Sequence, residues 1–343
     1  MAAATERYSR QILFPPLGAA GQARLAAARV TIVGCGALGS LQAELLARAG
    51  VGALRLVDRD YVEASNLQRQ TLYDEADAAA ATPKAVAAEA HLRRINSTIG
   101  IEGVVADLTP ENCDQLLSGA SVVLDGTDNA ETRYLINDWA VSHRCPWIYG
   151  AAVGARGMTF TIRPGETACL ACLFPDAAGD AAMPTCDTAG VLGWAVAWVA
   201  AQQVAECVKL LAGARDALRG SLLTADLWSN DVRALAGPKA DPECRCCGRG
   251  DFVHLRGDHS PVLTLCGRNT VQIHEHRRAL ALAELAERLR PHGAVRDTAF
   301  ALRFRPRTPA GVDITVFPDG RALIAGTTDT ALARSLYARY ISA

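Results

Sequence analysis

The residues with the most chemistry in this 343-residue chain lie between Asp58 and Lys84. Asp58 and Asp60 close an apolar run, Ala53-Leu-Arg-Leu-Val57, where a carboxylate accepts sugar hydroxyls; Asp60 could equally hold a metal. Ser65-Asn-Leu-Gln-Arg-Gln70 adds amides at Asn66 and Gln70 and a guanidinium at Arg69. Pro83 then sets Lys84 at a helix start, facing the same edge. Fixed positive charge beside amides suits a triphosphate whose negative charge shifts during reaction. The 35 basic residues include only three lysines, Lys84, Lys209 and Lys239, and a lysine kept where arginine is so favoured suggests a task arginine cannot do. The plainer alternative is an Arg and a Lys on a solvated loop.

The elements upstream favour function. Val30-Thr-Ile-Val33 is β-branched and apolar, and it runs into Gly34-Cys-Gly-Ala-Leu-Gly39. Gly34 and Gly36 let backbone amides approach a phosphate, Ala37 opens the helix, and Gly39 lets that helix pack tightly on the strand. Asp58 follows Gly39 by 19 residues, completing a nucleotide-binding fingerprint that is weak when alone. A second acidic turn, Asp125-Gly-Thr-Asp128-Asn129, follows the strand-like Ser121-Val-Val-Leu124. Asp128 is the preferred magnesium ligand there, with Asn129 beside it, although Asp and Asn also cap helices.

Strand and helix patterns alternate from residue 30 to about 150, which predicts an α/β, Rossmann-like, mainly parallel sheet with ligands at the carboxyl ends of its strands. Met158-Thr-Phe-Thr-Ile162 and 221–226 predict an antiparallel extension. Residues 174–187, rich in Pro, Ala, Gly and Asp, read as a crossover, and an apolar helix follows to about 212. Residues 1–29 read as an N-terminal arm and helix, 30–250 as the main domain, and 251–343 as a small α+β unit. In that unit the patterns predict one strand near 262–273, a helix at 279–290, a hairpin pairing 299–305 with 312–317, a strand at 321–325 and a helix at 329–341.

Eleven cysteines with no apolar leader point to a reducing, cytoplasmic setting, in which paired spacings mean metal rather than disulfide. Cys169-Leu-Ala-Cys172 and Cys244-Arg-Cys-Cys247 are two knuckles of the structural zinc type, with Cys246 an extra thiol that leaves the second pair of ligands open. Cys186, ahead of the apolar helix, is a candidate nucleophile, or else a small buried residue. A formal net charge of −1 gives no basic field for nucleic acid, and the apolar run 189–205 carries Gln202 and Gln203, as a buried core helix does and a membrane span seldom does.

In this order, the motifs resemble the ThiF/MoeB family of carrier-protein adenylyltransferases, relatives of ubiquitin-activating enzymes. The matching stretches are Arg7-Tyr-Ser-Arg10-Gln-Ile12, Gly34–Gly39, Val57–Asp60, Ser65–Gln70, Pro83-Lys84, Asp125–Asn129, both knuckles and Cys186-Asp-Thr-Ala-Gly-Val191. The resemblance implies Mg·ATP as substrate and a small ubiquitin-like sulfur carrier ending in Gly-Gly as partner. It implies that Asp58 holds the ribose, Arg69 and Lys84 the phosphates, and Asp128 the magnesium. It further implies that Arg10 serves a partner's site in a homodimer, and that Cys186 is the crossover-loop cysteine that some members link covalently to the carrier. Ala37 departs from the family, which usually has a second consecutive glycine. Residues 251–343 fall outside the match. Two rivals stand beside this reading: an NAD-dependent oxidoreductase, for which no hydride-acceptor site is visible, and a non-catalytic partner subunit, which would normally lack Arg69, Lys84 or Asp128.

Overall fold

The structure, a computed structural model, describes residues 6–175, 189–237, 239–257, 263–266, 270–273, 280–298, 301–318 and 320–342. The chain divides into two compact units, Met1–Asp258 and His259–Ala343.

In the first unit, strands β1 (Arg29–Val33), β2 (Ala53–Asp58), β3 (Gly100–Val105), β4 (Val122–Asp125), β5 (Trp147–Val153), β6 (Arg156–Ile162), β7 (Ser221–Asp226) and β8 (Asp231–Ala236) form one sheet. Its order is β3-β2-β1-β4-β5-β6-β7-β8, parallel through β5 and antiparallel beyond. The helices are α1 (Ser9–Ile12), α2 (Gly18–Ala27), α3 (Ala37–Ala49), α4 (Glu75–Ala80), α5 (Lys84–Ile95), α6 (Cys113–Leu117), α7 (Ala130–Ser142), α8 (Leu170–Leu173) and α9 (Gly193–Ala212).

Both sheet faces are covered, and the two-residue period of a strand sorts its side chains between them. Val30, Ile32, Leu54, Leu56 and Leu124 enter one core with α3, α5 and α9, while Val33, Val57 and Val123 enter another with α6, α7 and the knuckles. Each such side chain removed from water contributes about 1.5–3 kcal/mol. Helix ends follow local chemistry: Asn129 accepts the Thr132 N–H at the start of α7, and Gly50 closes α3 at φ +79°. The apolar α9 packs on α3, β5 and β6 and buries Gln203 and Glu206. Glu206 accepts hydrogen bonds from Thr161 Oγ1, Lys209 Nζ and the Arg219 amide, the pattern of a core helix.

The chain runs from β1 through β2 to β3 on one side, and β4 then pairs with the other side of β1. Ligands of such folds bind where the order reverses, outside the carboxyl ends of the strands. The glycine turn after β1 and the acidic turn after β4 meet at that point.

The second unit is an antiparallel sheet in the order β11-β12-β13-β14-β10-β9, with β9 Leu263–Cys266, β10 Thr270–Ile273, β11 Gly293–Asp297, β12 Leu302–Pro306, β13 Asp313–Val316 and β14 Ala322–Ala325. Helices α10 (Leu282–Leu289) and α11 (Thr330–Tyr340) bury Leu285, Leu289, Leu336 and Tyr337 against Val271, Phe304, Ile314 and Ile324. One expectation needs correction: 262–273 is two strands paired Thr270↔Cys266, not one. The sequence of that run includes Gly267 and Asn269, residue types that favour turns over strand.

Candidate nucleotide site and cysteine knuckles

Gly34 has φ +86°, and an added Cβ would lie 2.5 Å from the Gly126 carbonyl oxygen, so neither conformation nor space admits a side chain. A Cβ on Gly39 would come 1.8 Å from Gly34 O, which explains the closing glycine by helix-to-strand packing alone. Gly36 is different: its added Cβ would face open space, with only Gln70 Nε2 as near as 3.9 Å. Ala37 does not narrow that opening. Its methyl packs with the cluster of Leu38, Val196 and Val199 between α3 and α9.

Asp58 lies beneath the turn, its carboxylate accepting the Cys35 N–H and the Asp60 N–H, each at 2.6 Å. Lys84 is buried, with Nζ 3.1 Å from Asp60 Oδ2 and its own amide 2.8 Å from Asp60 O. Burial pushes the Asp58 carboxyl above the ordinary carboxylate range, with Lys84 pulling it down and Asp60 pushing it up. Burial likewise works against the Lys84 ammonium, but the Asp60 and Asp58 carboxylates outweigh it and keep the amine charged to higher pH than usual. Burial, then Asp58, holds the Cys35 thiol well above its normal range, so this cysteine packs rather than reacts.

The Ser65–Gln70 segment is a tight turn against the start of α9. Asn66 is buried and caps the turn by accepting the Glu63 N–H, so its oxygen serves the loop. Arg69 is half-buried, with Nη1 3.1 Å from Ser65 O. Gln70 is 4% exposed, and its Oε1 has no hydrogen-bond partner among the described residues. A buried amide with an unused acceptor beside Gly36 is costly unless a ligand completes it.

In the second turn the roles separate. Asp125 is fully buried, taking Arg133 Nε at 2.9 Å, both the N–H and Oγ1 of Thr127, and the Gly150 N–H. Asn129 caps α7, and Asp128 is exposed, close enough to Lys84 to raise its pKa further.

Arg10 lies elsewhere. The arm holding it is fastened by Tyr8, which packs at Gly50 and receives a hydrogen bond from Asn96 Nδ2. Gly50 ends α3, whose other end is the glycine turn, and 13 residues of helix span about 20 Å. Cys186 lies outside the described residues.

The Sγ atoms of Cys169, Cys172, Cys244 and Cys247 all lie within 4.8 Å of one another, with separations of 3.9 Å (169–172), 3.7 Å (169–244) and 3.3 Å (172–247). Zinc–sulfur bonds of about 2.3 Å place tetrahedral sulfurs about 3.8 Å apart, so the four thiols fit that ion. A hydrogen bond from Cys246 is the main cause that pulls the Cys169 thiol down to about 4. Cys246 is therefore a supporting donor, itself accepting from Asn137 Nδ2 at 3.2 Å, and Cys247 completes the set.

Several residues of the site are invisible to motif spacing. Arg133 donates to Asp125, Thr127 O and Gly150 O over the Tyr149 ring, shaping the acidic turn from a helix interior. Gln42 and Gln203 both donate to Asp125 O at 2.9 Å. The one signal for Gln203 in the sequence is its interruption of an apolar run. Tyr73 sits under the glycine turn and has no signal at all.

Fold and site together define a class: a doubly wound α/β nucleotide-binding unit with its phosphate turn at the switch point and a four-cysteine cluster packed against α7. Residues 8–246 match the model of the ThiF family. The chain belongs to the ThiF family. A sulfur carrier protein ThiS adenylyltransferase of Bacillus subtilis (strain 168) is 46% identical over 347 residues, covering 98% of this chain and 99% of that protein. The SAMP-activating enzyme E1 of Haloferax volcanii is 39% identical over 245 residues, covering 71% and 89%. The adenylyltransferase and sulfurtransferase MOCS3 of Bos taurus is 38% identical over 283 residues, covering 82% of this chain and 60% of that protein. Among solved structures, E. coli MccB with ATP shares the fold at TM-score 0.61 and 21% identity, covering 71% of this chain and 74% of that one.

Proposed function

We propose that this enzyme adenylates the C-terminal glycine of a small ubiquitin-like sulfur carrier, using Mg·ATP. The observation that carries the reading is near-full-length similarity to a ThiS adenylyltransferase, joined to a phosphate turn flanked by Lys84, Arg69 and Asp128. An oxygen of the carrier's terminal carboxylate attacks the α-phosphorus. The bond from that phosphorus to the α–β bridging oxygen breaks, giving acyl-adenylate and pyrophosphate. Asp58 accepts the ribose hydroxyls, the amides from Gly36 to Leu38 receive phosphate, and Arg69 and Lys84 meet the charge that moves to the leaving pyrophosphate. Asp128 is the ligand for magnesium, which when bound neutralises phosphate oxygens. The four knuckle cysteines hold a structural zinc.

Arg10 is anchored about a helix length from its own chain's glycine turn, which supports its service in the site of a second copy, and hence a homodimer. Cys186 is proposed as a secondary acceptor of the activated carrier, and the cytoplasm as the setting. Mass spectrometry of a Gly-Gly-ended carrier incubated with enzyme and ATP tests the reaction. A mass gain of one AMP on the carrier is expected; an unmodified carrier beside consumed ATP contradicts it.

A further inference from the structure

Tyr73 is buried at 7% exposure, and its hydroxyl donates to Cys35 O at 2.7 Å, with Lys84 O a longer 3.3 Å away. These are the carbonyls of the glycine turn and of the first residue of α5. A trans peptide unit is planar, with its C=O and N–H pointing in opposite directions. The Cys35–Gly36 unit therefore cannot hold its oxygen inward on Tyr73 without turning the Gly36 N–H outward. The turn has open space at Gly36, where an added Cβ would meet nothing nearer than Gln70 Nε2 at 3.9 Å, and that N–H has no hydrogen-bond partner among the described residues.

We propose that Tyr73 is a positioning residue: its hydroxyl fixes the Cys35–Gly36 peptide so that the Gly36 N–H faces the triphosphate, and it ties that turn to the start of the Lys84 helix. The proposal rests on ATP being the substrate. The preceding peptide, Gly34–Cys35, is held by Asp58, which accepts the Cys35 N–H and is the residue proposed to hold the ribose. Tyr73 thus governs phosphate contacts, whereas Asp58 governs the nucleoside, and the two can be separated experimentally. Without the hydroxyl, Cys35 O is a buried carbonyl that regains a partner only if the peptide rotates.

The test compares ATP and adenosine binding by calorimetry in the full-length protein and in Tyr73→Phe, alongside the KM for ATP in carrier-dependent turnover. The ring and its packing are kept, so adenosine affinity is expected to stay within about twofold while ATP affinity falls about tenfold. KM for ATP should rise and kcat change little. Gly36→Ala, whose methyl would enter open space at an unstrained φ of −73°, should show the same selective loss of ATP. Equal losses for adenosine and ATP in Tyr73→Phe, or no loss for either, would overturn the proposal. A wild-type protein that binds adenosine but gains nothing from the triphosphate would instead overturn the assignment of ATP, and this proposal with it.

Discussion

At the residue scale, Asp58 and Lys84 are buried ionisable groups coupled to each other and to Asp60. Lys84→Ala should lower adenylation about 10²–10³-fold, as expected when one fixed cation leaves a developing negative charge, while zinc content stays at one ion per chain. Retention of more than a tenth of wild-type rate in single-turnover assays would remove Lys84 from the phosphates. The raised pKa of Asp58 gives a pH prediction with a definite sign. On the proposed assignment ribose binding needs the Asp58 carboxylate, so nucleotide affinity should fall on acidification at a higher pH than an ordinary aspartate would set, measurable by titration calorimetry across pH. For folding the sign is reversed: the native state holds this proton more tightly than the unfolded chain, so the stability Asp58 adds below its unfolded pKa is lost as pH rises through the raised value. Both residues are legible in the sequence because residue type and spacing suffice to find them. Tyr73 is not, because a buried hydroxyl on a backbone carbonyl leaves no pattern. Asn66 likewise spends its amide oxygen on the Glu63 N–H, a turn contact that motif spacing does not reveal.

At the scale of elements, the sheet and its long helices follow directly from apolar period and glycine placement. Helices α3 and α7 fall within the expected strand–helix alternation, and the expected strand at 221–226 coincides with β7. Strands β8 and β11 escape notice because their exposed, charged sequences, Asp231-Val-Arg and Ala294-Val-Arg-Asp297, have no buried face to give a period. The acidic turn is held by α7 through Arg133, whose removal would leave Asp125 charged and fully buried. Arg133→Met should therefore cost about 3–5 kcal/mol in chemical denaturation and weaken catalysis through the displaced turn. A loss below 1 kcal/mol would show that the ion pair does not set this loop. Asn137 and Asp138, about one turn further along the same helix, hold the knuckles through the Leu170 amide, Cys246 Sγ, Arg245 and the His254 amide. Stripping zinc with a chelator should then lower Tm by about 6–12 °C, the shift that 3 kcal/mol produces in a unit of this size. An unchanged Tm after verified metal loss would deny the cluster a structural role.

At the scale of the whole molecule, the proposed homodimer would put Arg10 and Lys84 of one chain in different sites. Arg10→Ala and Lys84→Ala should each be inactive alone, yet coexpressed they should recover about a quarter of wild-type activity, since half the dimers are mixed and each mixed dimer keeps one intact site. A mixture as inactive as its parts would place Arg10 in its own chain's site. The sequence alone signals an arm but not its distance from the site, because that distance is set by Tyr8 reaching across to Gly50 and Asn96. If ATP is cut by the C-terminus of a partner protein, ATP–pyrophosphate exchange must depend on that C-terminus. Exchange should appear when a ubiquitin-like carrier ending in Gly-Gly is added, and vanish when its last glycine is deleted. Equal exchange with and without that glycine, or none with the intact carrier, would contradict the account.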